Sequence, residues 1–119
     1  MSSDHFDYVL VGGRLQNCLV ALALFARQPE ARVALVEKSD ALAGNHTWCF
    51  HADDVRGAGD ILEPLTEYRW DGYEVRFPRL RRSLESPYAG VSSERVRDVV
   101  TEAFANRPES CLLLRSEAR

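Results

Sequence analysis

Asp7-Tyr8-Val9-Leu10-Val11-Gly12-Gly13-Arg14-Leu15-Gln16-Asn17-Cys18 is the stretch on which the fold turns. Its first five residues form a short apolar run rich in β-formers that stops at two glycines, which reads as a buried strand running into a tight turn. Leu15 to Arg27 then runs without Gly or Pro, and Leu15, Leu19, Leu22 and Ala26 recur at helical spacing, so a helix with one face on a core is predicted. Gln28-Pro29-Glu30 ends it, because proline cannot continue the ladder. Arg32-Val33-Ala34-Leu35-Val36-Glu37 is a second apolar run, closed by a carboxylate. Strand, helix and strand in this order make a parallel pair with a right-handed crossover, in about thirty residues.

A turn of this kind has a chemical use. Glycines tighten it and let backbone approach a pyrophosphate, while the helix N-terminus presents unpaired N–H groups and the positive end of its dipole. An acid at the end of the second strand accepts ribose hydroxyls. Gly12 fills the first position of a G-x-G-x-x-G pattern and Glu37 stands where the acid belongs, but Arg14 and Asn17 occupy the second and third glycine positions. The match is partial. A plain strand-to-helix turn with incidental glycines is the alternative, and the surrounding strand-helix-strand-Glu37 context favours nucleotide binding over it.

Composition narrows the class. A chain of 119 residues makes one domain at most, and 45% hydrophobic residues are enough for a core. Fifteen basic against 18 acidic residues leave a net charge of −3, which argues against nucleic acid as partner. Cys18, Cys49 and Cys111 are odd in number, far apart and without Cys-x-x-Cys or Cys/His spacing, so neither a metal site nor a disulfide framework is readable. Reduced thiols and a cytoplasmic location are expected. Met1 to Asp7 lacks the basic lead of a signal peptide, and the apolar stretch Cys18 to Ala26 is too short to span a bilayer.

Farther along, Lys38 to Gly44 is a loop, and Asp53 to Pro64 has room for a short helix. Tyr68 to Pro78 places aromatic residues on both sides of Asp71-Gly72, a hairpin signal. Ser92 or Ser93 caps a helix from Glu94 to about Asn106, with Val96, Val99, Val100 and Ala103 inward. Cys111 to Leu114 reads as a strand that rejoins the sheet. Trp48 and Phe50, two apart, face one core. Trp70 and Tyr73 belong to a hairpin surface. Arg76, Arg79, Arg81 and Arg82 make a basic cluster whose default is a solvated face. Asp53 and Asp54 are adjacent acids with no shared site to serve.

Val11-Gly12-Gly13-x-Leu15-Gln16-Asn17, then Glu37, then Gly44-Asn45-His46-Thr47-Trp48, resembles the beginning of the bacterial lycopene β-cyclases. Val75-Arg76-Phe77-Pro78 with Arg81-Arg82, and Tyr88 to Arg97, are similar to that family as well. The glycine turn is common to many flavoproteins, whereas the Gly-Asn-His-Thr-Trp run is far more specific. The resemblance implies an α/β fold, the Rossmann-like FAD-binding start of a two-domain flavoprotein, with a substrate-facing β region begun and no complete second domain in residues 1–119. It implies closure of the ends of linear lycopene into β-ionone rings, in carotenoid biosynthesis. That reaction is an acid-initiated isomerisation without net redox change, with reduced FAD and NAD(P)H as reductant. It also implies peripheral contact with the inner face of the cell membrane, where a carotenoid substrate resides.

By the same resemblance, the cofactor-binding residues are Gly12, Gly13, Arg14, Leu15, Glu37, Gly44, Asn45 and His46. The proton donor lies downstream, so no catalytic residue is expected here, and the chain reads as a fragment that is inactive alone. Two positions depart from the family, which has glycine where this sequence has Arg14 and Cys18. A side chain at position 14 takes space that the pyrophosphate needs, while the small thiol at 18 is tolerable. Another FAD-dependent oxidoreductase, of monooxygenase or desaturase type, and an inactive remnant without cofactor are the alternatives.

Overall fold

The structure is a computed structural model that describes residues 5–119, so the head of the polar lead, Met1 to Asp4, lies outside the described residues. Strand β1 (Tyr8–Val11), helix α1 (Leu15–Arg27) and strand β2 (Val33–Val36) form the expected β-α-β unit. β1 and β2 pair in parallel, Tyr8 opposite Val33 and Val11 opposite Val36. The chain then leaves through strand β3 (Thr47–His51), a 3₁₀ turn at Ala52–Val55, the short helix α2 (Gly59–Leu62) and a second 3₁₀ turn at Glu63–Leu65. Strands β4 (Tyr68–Trp70), β5 (Tyr73–Phe77), β6 (Leu80–Leu84) and β7 (Tyr88–Ser92) follow, and helix α3 (Ser93–Ala105) and strand β8 (Cys111–Leu113) bring it home. β8 adds in parallel beside β2, as the apolar Cys111-Leu112-Leu113 run predicts.

The helices sit together over one face of the parallel sheet, where Phe25 of α1 meets Phe104 of α3 edge-on with ring centres 4.9 Å apart. Burial explains why these segments are helices at all, since α1 and α3 close the core with Cys18, Ala21, Phe25, Val96, Val100 and Phe104 against Val33 and Leu35. Each large side chain so buried contributes about 1.5–3 kcal/mol. The inward stripe of α1 is rotated from the expected one: Leu15, Leu19 and Leu22 are half-buried and Ala26 is exposed. α1 packs on α3 as well as on the sheet, and this centres its contact on Cys18, Ala21 and Phe25. β1 also differs from a fully buried strand. Val9 and Val11 are 57% and 61% exposed, because both helices cover the opposite face. α3 begins where expected, with the Ser92 hydroxyl accepting from the Arg95 amide.

The Asp71-Gly72 hairpin is not formed. β4 pairs antiparallel with β7 in a sheet of order β3-β7-β4, while β5 pairs with β6 through a turn at Pro78 and Arg79. Gly72 serves close approach instead of a turn: a Cβ there would fall 2.4 Å from the Leu84 carbonyl oxygen. Trp48 and Phe50 of β3 pack on the core side of the second sheet, as their spacing predicts. Its other face carries stacked Tyr68 and Trp70, with Tyr73 reaching His51 and Tyr88 from the hairpin. In the basic cluster, Glu74 pairs with Arg76 and Arg81, and the group stays at the surface. Asp54 accepts from the His51 amide at 2.9 Å, a local cap. The three thiols are unbridged. No helix among the described residues is long and apolar enough to cross a membrane.

Candidate functional site

The β1–α1 turn and the end of β2 meet at Glu37. Gly12 holds φ +97°, a left-handed conformation that explains the glycine, and its amide bonds the Val36 carbonyl at 2.8 Å. Gly13 is glycine for packing: a Cβ would stand 2.4 Å from Leu42 Cδ2 and 3.1 Å from Glu37 Cβ. Its amide donates to Glu37 Oε1 at 2.8 Å, and the Ser39 amide donates to Oε2 at 2.6 Å. Glu37 is only 6% exposed. The Ser39 amide first, then the Gly13 amide, holds its carboxyl below the ordinary carboxylate range. A carboxylate accepts about four hydrogen bonds; the Gly13 and Ser39 amides and the Ser39 side chain take part of that capacity, and the remainder is left for another donor.

Arg14 is the N-cap of α1, in extended conformation, and gives the helix no side-chain cap. The first turn of α1 holds no acid of its own, so its amides and dipole end are open to an anion. The Arg14 guanidinium lies across to the next loop, Nη1 standing 3.3 Å from His46 Nε2 and 2.6 Å from where a Gly44 Cβ would be. Gly44, at φ +66°, therefore has two reasons to be glycine. A cleft of about 210 Å³ lies between Arg14, Glu37, Ser39, Asp40, Ala43 and Gly44. A second pocket of about 290 Å³ at the second sheet, lined by Phe50, Leu62, Arg69, Trp70 and Tyr88 among others, does not include the glycine turn.

The structure thus brings Arg14, Glu37 and Gly44 to one cleft, with Gly12 and Gly13 in the turn behind Glu37 and His46 against Arg14. The Leu15 side chain packs on the core, so only its backbone stands at the turn. Asn45 is exposed beside them and makes no hydrogen bond to them. Three further residues hold the turn and the loop beside it. Asn17, at the third position of the glycine pattern, donates its side-chain amide to the Val11 and Gly12 carbonyls at 3.0 and 2.8 Å, and so ties down the turn. Its departure from glycine at that position was its signal. The Ser39 amide has no sequence signature, and the same holds for Arg97, whose guanidinium reaches the Leu42 and Gly44 carbonyls from α3.

Cys18, fully buried, donates its thiol to the Gly13 carbonyl at 3.5 Å, so the first turn of α1 accommodates it. Burial first, then the Glu37 charge, pushes this thiol up to about 11. Thiolate is the reactive form, so at pH 8 the buried Cys18 should label with iodoacetamide far more slowly than the exposed Cys49. Peptide mass spectrometry reads the two rates, and equal rates would mean that the turn opens readily.

A description of the lycopene cyclase proteins as a family matches residues 7–118. This chain belongs to the lycopene cyclase family. The lycopene β-cyclase of Pantoea ananas is 41% identical over 101 residues, which are 84% of this chain and 26% of that one. The lycopene β-cyclase of Pseudescherichia vulneris is 44% identical over 99 residues, 82% of this chain and 26% of that one. This lycopene cyclase family chain therefore spans about a quarter of the length of these relatives. Among solved structures, PqsL of P. aeruginosa in complex with 2-aminobenzoylacetate aligns with TM-score 0.72 at 20% identity, over 94% of this chain and 34% of that one. A second PqsL structure, described as a probable FAD-dependent monooxygenase, gives 0.68 at 19% over 94% and 33%. The p-nitrophenol 4-monooxygenase PnpA of Pseudomonas putida DLL-E4 gives 0.69 at 13%, over 92% and 32%. These likenesses are of fold, and they place the cyclase-family chain on the α/β architecture expected of a Rossmann-like flavoprotein start.

Proposed function

We propose that this chain is the nucleotide-holding part of an FAD-dependent lycopene cyclase, an enzyme that closes the ends of lycopene into β-rings without net redox change. The observation that carries the reading is Glu37, held charged at the end of β2 beside an uncapped helix N-terminus and a cleft. These groups fit a dinucleotide. The free lone pairs of Glu37 take the ribose hydroxyls, and the first amides of α1, steadied by Asn17, face the pyrophosphate. Arg14 is the one residue that crowds it. When bound, reduced FAD, replenished by NAD(P)H, supplies charge stabilisation or a proton path for ring closure. The chain's own part is to bind and orient that group. Peripheral contact with the cytoplasmic side of the membrane follows from so apolar a substrate.

Two measurements test this. The purified chain, titrated with FAD, should quench flavin fluorescence in a saturable way that excess ADP reverses. A chimera that continues this chain with the remaining three quarters of the Pantoea ananas enzyme should convert lycopene to a β-ring product, consuming NAD(P)H only to keep the flavin reduced. Stoichiometric NAD(P)H and oxygen consumption would point to a monooxygenase instead, and absence of flavin binding to a chain without cofactor.

A further inference from the structure

We propose that Arg97 is a positioning residue of the cofactor cleft: from helix α3 it sets the loop Leu42–His46 that forms the wall facing Glu37. The loop is an improbable conformation on its own. Ala43 has a left-handed φ of 70° although it is not glycine, and Gly44 follows at 66°. Such a residue persists only where its surroundings over-determine it, and here they do. The Arg97 guanidinium spans the bend, Nε donating to the Leu42 carbonyl at 3.2 Å and Nη2 to the Gly44 carbonyl at 3.0 Å. Ser93, one turn earlier on the same helix, accepts from the His46 amide through Oγ at 3.2 Å and donates its own amide to the His46 carbonyl at 2.9 Å. On the other side the Ala43 amide reaches the Gly13 carbonyl at 2.8 Å, and Gly13 in turn bonds Glu37. One chain of hydrogen bonds thus runs from α3 through the loop to the glycine turn and the acid. Arg97 has no carboxylate partner among the described residues, and its two hydrogen bonds both go to this loop. The flat fork of a guanidinium bridges two carbonyls, which a lysine ammonium does not.

The functional half of this proposal rests on the flavin reading and the structural half on geometry, and the experiment separates them. Arg97→Met keeps the apolar stem and removes the fork; Arg97→Lys keeps the charge. In the whole chain, amide hydrogen exchange is compared at Ala43 and His46 and at the strand residues Leu10, Leu35 and Leu112. The expected result for Arg97→Met is at least tenfold faster exchange at Ala43 and His46 with the strands unchanged, together with FAD binding at least tenfold weaker; Arg97→Lys restores neither fully. Unchanged exchange in the loop overturns the proposal. So does a uniform rise across loop and strands, which would make Arg97 a residue of general stability. Loosened loop amides with unaltered FAD affinity would refute the link to the cofactor. A wild-type chain that does not bind FAD sinks the flavin reading, while the exchange comparison still decides whether Arg97 holds the loop.

Discussion

Replacing Arg14 by glycine should tighten the proposed FAD binding about tenfold, which corresponds to roughly 1.4 kcal/mol. The backbone conformation at position 14 is ordinary for any residue, with φ −83° and ψ −179°, so the substitution relieves no strain and glycine is itself an acceptable N-cap. What changes is space. The first amides of α1 must come within ~3 Å of phosphate oxygens, and the Arg14 side chain starts at that approach and continues across Gly44 to His46. The opposing effect is real, since a guanidinium pairs well with phosphate. Sterics should prevail because a displaced dinucleotide loses several backbone hydrogen bonds at once, and a single guanidinium cannot replace them all. Flavin titrations of wild type and Arg14→Gly at equal ionic strength decide it. Weaker binding by the glycine variant would make Arg14 a phosphate clamp.

Glu37→Ala should act on fold and cofactor together. It strips acceptors from the buried Gly13 amide and from the half-buried Ser39 amide, and an unsatisfied buried amide costs about 1–3 kcal/mol. A fall in Tm of about 4–15 °C is expected for a domain of this size. FAD, where bound, should weaken by roughly 1–3 kcal/mol more through loss of the ribose acceptor. The pH dependence carries a sign. The folded carboxyl titrates below its unfolded value, so its stabilisation is complete above the ordinary carboxylate range and disappears as pH falls through the folded value. Melting curves between pH 3 and 7 should therefore be flatter for Glu37→Ala than for wild type. Parallel curves, or an unchanged Tm at pH 7, would show that the amides find other acceptors.

The β-α-β half of this fold is legible in the chain because its rules are local. Val33 to Val36 is apolar throughout since β2 lies between two strands, and Leu15 to Arg27 lacks any breaker. Glu37 could be placed for the same reason, as the first polar residue past a strand end. The second sheet was legible only in part. Asp71-Gly72 carries the composition of a hairpin turn, yet Tyr68 to Trp70 finds its partner in Tyr88 to Gly90, and no local rule reports a pairing that distant. The cleft's far wall was hidden more deeply. Ala43 bears no mark of a left-handed conformation, and the arginine that enforces it stands on a helix formed after the second sheet. Asn17 was visible as a departure from a glycine pattern; only its bonds to the Val11 and Gly12 carbonyls make it a substitute for rigidity.

The neck between the two sheets has a consequence for how such chains diversify. Thr47 pairs with Ser92 as the first rung of the antiparallel sheet, and just below it His46 and Ser93 bond each other twice. Everything from Thr47 to Ser92 is thus an excursion whose exit and return are stapled together at its base. Segments inserted between adjacent ends are the ones that evolution exchanges with least disturbance to the parent core. The parallel sheet, its acid and its glycine turn share a core with Leu65 and Val91 of the excursion, but not with the hairpin at its far end. In this architecture the βαβ half is a socket, and the hairpin of residues 73–84 is the part of the excursion that can be refaced without touching that core.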